Sequence, residues 1–125
     1  MRDIENRKDI ETLVNSFYDK VREDARIGHI FTEVAAVNWI EHLPKMYLFW
    51  ETILLDKVGY KGSPVADHVK LSRKTPMEQK HFDRWLELWT STVDNLFQGT
   101  RAEEAKKRAG YMTMLMRYKI EDAAV

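Results

Sequence analysis

Ile10, Leu13, Val14, Phe17 and Val21 recur at spacings of three and four, with charged and polar residues between them. That period gathers the apolar side chains on one face of a helix, whereas a half-buried strand would alternate every second residue. The pattern predicts a helix over residues 9–24. Gly28 then breaks it, and Ile30-Phe31 return the chain to the core. A second helix is expected from Asn38, a favourable N-cap, to about Leu55, with Trp39, Leu43, Met46, Phe49 and Trp50 among a dense apolar set. Pro44 lies beyond its first turn, where the missing N–H should kink the helix unless the helix starts later.

The turn residues Gly59, Gly62, Ser63 and Pro64 mark a loop, and a short helical piece over residues 65–71 follows it. Thr75-Pro76-Met77-Glu78 combines a capping-box pair with proline at the first helical position. The helix it opens continues through Phe82, Trp85, Trp89 and Val93 to a stop at Gly99. Thr100 and Glu103 repeat the capping box ahead of a last helix bearing Ala102, Ala105, Ala109, Met112 and Met116. No internal repeat and no strand alternation interrupts this order, and the fold class is all-α.

The chain has 125 residues, the length of one domain, and 44% are hydrophobic, enough to build a core. Twenty basic and twenty acidic residues leave no net charge, and the signs are interspersed, which argues against the basic stripe of a nucleic-acid binder. With no cysteine, disulfides, thiolate metal sites and covalent c-type haem attachment are excluded. Met1-Arg2-Asp3-Ile4-Glu5 lacks the apolar stretch of a secretory leader, and no apolar run approaches the ~18 residues of a bilayer span. The expectation is a cytoplasmic protein with no membrane and no nucleic-acid partner.

Chemistry must come from the four histidines and the aromatics. His29 sits in a connection and reads as structural or exposed. Glu78 and His81 have the spacing of half a di-iron carboxylate motif, but the second copy such a site needs is missing. No His-x-x-x-His pair suggests helical zinc. His42 shares a helix face with Met46, Phe49 and Ile53, and His68 lies near Val65, Val69 and Leu71. Each histidine alone reads more readily as a satisfied core residue than as a functional one. Together, on two aromatic-lined helices, they have what a haem requires: an imidazole ligand on one side and an access face on the other.

The order of short motifs carries more than any one of them. Phe17-Tyr18, Gly28-His29-Ile30-Phe31, His42 ahead of Phe49-Trp50, Tyr60-Lys61-Gly62-Ser63-Pro64 ahead of His68, and Phe82-x-x-Trp85-Leu86 follow one another from about residue 10 to about residue 116. This arrangement resembles the group III truncated haemoglobins, small globins that hold haem between a proximal and a distal helix. The resemblance implies a single globin domain over residues 1–125 with a shortened, two-over-two helical sandwich. It implies His68 as the proximal iron ligand and a wall formed by Phe31, Lys45, Met46, Phe49, Leu71 and Met112, with Lys45 reaching a propionate. It also implies a distal ligand site of Tyr18, His42 and Trp85.

The cofactor expected is non-covalent haem b (iron protoporphyrin IX), and the partner is a diatomic gas, dioxygen or nitric oxide. Tyrosine, histidine and tryptophan all donate hydrogen bonds, so three of them around a partly negative ligand favour retention over delivery. Ligand chemistry or sensing then fits better than transport. Beside Pro44, His42 could also swing as a gate or bind iron in the ligand-free protein. A haem-dependent nitric oxide dioxygenase or peroxidase-like enzyme, served by a separate reductase, is a second reading. A cofactor-free helical interaction module is a third, in which Tyr18 is a boundary residue, Trp85 a core aromatic and Lys45 a solvated cation.

Overall fold

The computed structural model describes residues 1–30, 39–56 and 78–124, with residues 119–124 described as backbone helix only. Within them lie four helices: α1 (Arg7–Glu23), α2 (Trp39–Leu54), α3 (Gln79–Leu96) and α4 (Thr100–Ala124). α1 packs on both α2 and α3, α3 lies along α4, and α2 also reaches α4. No strand occurs among the described residues, as the apolar period requires. No helix among them is long and apolar enough to cross a membrane.

α1 starts two residues earlier than the apolar pattern indicates because its cap is Asn6. The Asn6 side chain accepts a hydrogen bond from the Asp9 N–H at 3.0 Å, meeting one of the donors that every helix N-terminus leaves open. The Asp9 carboxylate faces backwards instead, accepting from the Glu5 N–H at 2.9 Å and from Arg2 at 2.6 Å. At the other end Asp24 adopts extended backbone. Its carboxylate accepts from the Arg26 and Ile27 N–H groups at 2.9 and 3.2 Å and from Arg84 of α3 at 2.8 Å. Gly28 packs so tightly on this turn that an added Cβ would sit 2.8 Å from the Arg22 carbonyl oxygen.

α2 spans Pro44 without starting later, and the proline ring has no N–H to contribute to the helical ladder. The start of α3 corrects the expected Thr75-Pro76 boundary. Glu78 has extended backbone, and its N–H donates to His81 Nδ1 at 3.0 Å. An imidazole performs the back-reaching half of a capping box, usually the work of Glu or Gln. Thr75 and Pro76 lie outside the described residues.

The end of α3 and the start of α4 also differ from expectation. α3 stops at Leu96, with Phe97 already extended, and Gly99 follows at φ +146°, a region that only glycine enters easily. Thr100 is the first helical residue of α4 and not its cap. The cap is Asp3, whose carboxylate accepts from the Arg101 and Ala102 N–H groups, each at 2.9 Å. A Cβ on Gly99 would lie 2.5 Å from the Asp3 side chain, so the glycine makes room for the carboxylate.

Phe17 is the centre of the core, fully buried and edge-on to Tyr18, Trp85 and Trp89 with ring centroids 4.9, 5.1 and 5.0 Å away. Truncating such a residue to alanine typically costs about 3–5 kcal/mol. Trp89 stacks on Trp50 of α2 at 4.4 Å, and its indole N–H donates to the Ala105 carbonyl of α4 at 3.1 Å. One tryptophan thereby binds three helices. Between α1 and α2 the buried Glu51 carboxylate pairs with Arg7.

Candidate functional site

The helical period that buries Phe17 also turns the next residue, Tyr18, towards α2. Tyr18 is buried, and its hydroxyl lies 3.3 Å from His42 Nε2. The two rings meet edge to face at 5.3 Å. This is a loose contact by hydrogen-bond standards, and its direction depends on the imidazole tautomer. If Nε2 carries the proton, His42 donates to the tyrosine oxygen and the phenolic proton is left for a third group. If Nδ1 carries it, the phenol donates to His42. The pair can therefore present or withdraw a donor without moving either backbone.

Trp39 completes one side of the cluster. It lies 5.1 Å from the Tyr18 ring and 5.7 Å from the His42 ring, with the Arg22 guanidinium 4.7 Å above it. Sequence reasoning took Trp39 only for a core residue. The available signal was its position three residues before His42, which puts both on one helix face. Arg22 also donates to the Tyr18 carbonyl at 3.3 Å, so the cation ties the tryptophan to α1.

Trp85 joins this cluster through Phe17. It is half-buried, edge-on to Phe17 at 5.1 Å and parallel to Trp89 at 6.0 Å. Its indole N–H makes no hydrogen bond among the described residues. Arg84, the preceding residue, is clamped to Asp24 at 2.8 Å, which ties the first turns of α3 to the end of α1. Burial pushes the Asp24 carboxyl up, but the hydrogen bonds from Arg84, Arg26 and Ile27 outweigh it and hold the group below its ordinary value. The clamp is ionised at neutral pH.

Met46 and Phe49 follow His42 at spacings of four and seven and are half-buried. Lys45 is exposed on the same helix, and Met112 of α4 is half-buried against the core. Phe31, His68 and Leu71 lie outside the described residues. His29 is exposed. His81 has no part in the cluster, because its ring caps α3 as described above. No group of three or more potential metal ligands occurs among the described residues.

Tyr18 and His42 thus form a polar contact among aromatic rings, with the half-buried Met46 and Phe49 and the exposed Lys45 on the same helix as His42. No protein-family model matches the sequence. Among curated proteins, the group 3 truncated hemoglobin ctb of Campylobacter jejuni is 30% identical over 121 residues, spanning 90% of this chain and 93% of that protein. Among solved structures, a group III truncated hemoglobin from Campylobacter jejuni superposes with a TM-score of 0.82 at 27% identity, covering 96% of this chain and 95% of that one. The helices are those of the shortened globin fold, and the chain belongs to the group III truncated haemoglobins.

Proposed function

We propose that this chain binds haem b non-covalently through His68 and uses Tyr18, His42 and Trp85 to hold a diatomic ligand, dioxygen or nitric oxide, for ligand chemistry or sensing. Membership of a haemoglobin family makes the protein a globin, for which haem is the cofactor expected. When bound, haem supplies an iron with a coordination position open to a diatomic ligand. The described residues suit such a group. Met46, Phe49 and Met112 offer half-buried apolar surface to a flat macrocycle, and exposed Lys45 suits a propionate at the solvent edge.

The observation that carries the ligand reading is the contact between the Tyr18 hydroxyl and His42 Nε2. Tyr18 is buried, His42 is half-buried, and each partners the other. The pair suits a partly negative ligand, which can accept a hydrogen bond from the phenol while His42 supports the phenol oxygen. The Trp85 indole N–H, which makes no hydrogen bond among the described residues, is a further candidate donor.

Haem titration of the apoprotein tests this reading. The wild-type chain should take up one haem and give a Soret band, and His68→Ala should bind haem only loosely. Retention of the wild-type spectrum and affinity in that variant would move the iron ligand elsewhere, with His42 first in line. Nitric oxide consumption by the oxygenated protein then distinguishes ligand chemistry from reversible binding.

A further inference from the structure

α4 is apolar on two opposite faces. Ala102, Ala105, Ala109 and Met116 are buried against the other helices. On the far side Tyr111, Met114, Leu115 and Tyr118 follow at spacings of three, one and three, and they remain 56%, 57%, 48% and 63% exposed. Among the described residues, the core does not cover the second stripe. Isolated exposed apolar residues are ordinary, but four in helical register form a continuous patch.

We propose that this stripe is the interface of an antiparallel homodimer, α4 against α4, with its two-fold axis between Met114 and Leu115. Charge order along the helix selects the second copy and its direction. Lys107 and Arg108 occupy the turn before the stripe, and Glu121 and Asp122 occupy the positions one turn after it in the same register. A parallel partner would set like charges against like. In register along the helix, an antiparallel copy sets position 111 opposite position 118 of its partner, 114 opposite 115, and 107 opposite 122. A patch that is complementary to itself in this way suits an isologous two-fold contact.

The size is consistent with a weak dimer. With a tyrosine side chain able to bury ~150–250 Å², four residues exposed to this degree present on the order of 400–500 Å² per copy. Two copies would bury on the order of 900 Å² from the stripe, below the ~1,200–2,000 Å² of stable complexes until the flanking charged turns are added. The association is therefore concentration-dependent and sensitive to salt.

Sedimentation equilibrium of the haem-loaded chain, from micromolar to near-millimolar concentration, provides the test. The wild type should move reversibly from monomer to dimer, and Leu115→Glu, at an exposed position, should stay monomeric with unchanged helix content. Lys107→Glu should weaken the dimer by about three- to tenfold, and adding Asp122→Lys should restore it, because the exchanged charges still occupy opposed positions in the antiparallel register. A wild type that is monomeric throughout would overturn the proposal and leave the stripe to a different partner. So would a Leu115→Glu variant that dimerises like the wild type, and failure of the double exchange to recover affinity would overturn the antiparallel arrangement.

Discussion

The Asp3 carboxylate accepts the Ala102 N–H at 2.9 Å, so the third residue of the chain caps its last helix. Replacing a cap of this kind with alanine typically costs about 0.5–2 kcal/mol. Asp3→Ala should lower the denaturant midpoint at neutral pH without altering the haem spectrum. The dependence on pH follows from the same bonds. Burial pushes the Asp3 carboxyl up, but the Arg101, Ala102 and Ile4 N–H groups outweigh it and hold it below its ordinary value. The unfolded chain then takes up the proton first. The stabilisation is complete above the unfolded pKa and is lost as pH falls through the lower folded one. Wild-type and variant stability curves should converge in acid.

His81 should act as a pH-dependent cap on α3. Its Nδ1 accepts the Glu78 N–H, which a protonated ring cannot do. Burial and then the charge of Lys80 hold its pKa below the ordinary 6.5. The contribution is whole above that value and declines as pH falls through the folded one. Amide protection in the first turn of α3, taken relative to the intrinsic exchange rate at each pH, should fall on acidification in the wild type. In His81→Ala that protection should already be low at neutral pH and change little in acid.

The same substitution should have opposite signs at two glycines. A Cβ on Gly28 would meet the Arg22 carbonyl oxygen at 2.8 Å, whereas one on Gly110, inside α4, would meet nothing within 4 Å. Gly28→Ala should destabilise the protein by about 1–3 kcal/mol through overpacking against backbone. Gly110→Ala should stabilise it by about 0.5–1 kcal/mol by removing a flexible residue from a helix interior. Equilibrium unfolding of the two variants measures both.

Regular periodicity made the helices legible in the sequence. The face of α1 with Ile10, Leu13, Val14 and Phe17 is buried as the spacing requires, and Tyr18 of α1 lies against His42 of α2. The helix ends were harder to read because their caps are not all local. Thr100 and Glu103 have the spacing of a capping box, yet Asp3 holds that end. Thr75-Pro76 is a strong local start signal, yet the described helix begins at Gln79 with a histidine ring as its cap. Arg84 meets Asp24 only because α1 and α3 are packed together. Such contacts depend on the assembled fold, and no window of sequence contains them.

The rate at which dioxygen leaves the ferrous protein tests the proposed ligand site most directly. A net hydrogen bond contributes about 0.5–1.5 kcal/mol, and more when the acceptor carries charge. Tyr18→Phe removes the phenolic donor and keeps the ring that packs on Phe17 and Trp39. Stopped-flow displacement of oxygen should therefore show release roughly three- to thirtyfold faster than in the wild type, with haem uptake unchanged. An off-rate equal to the wild type's, in a variant that still binds haem, would contradict the account and remove Tyr18 from the ligand site.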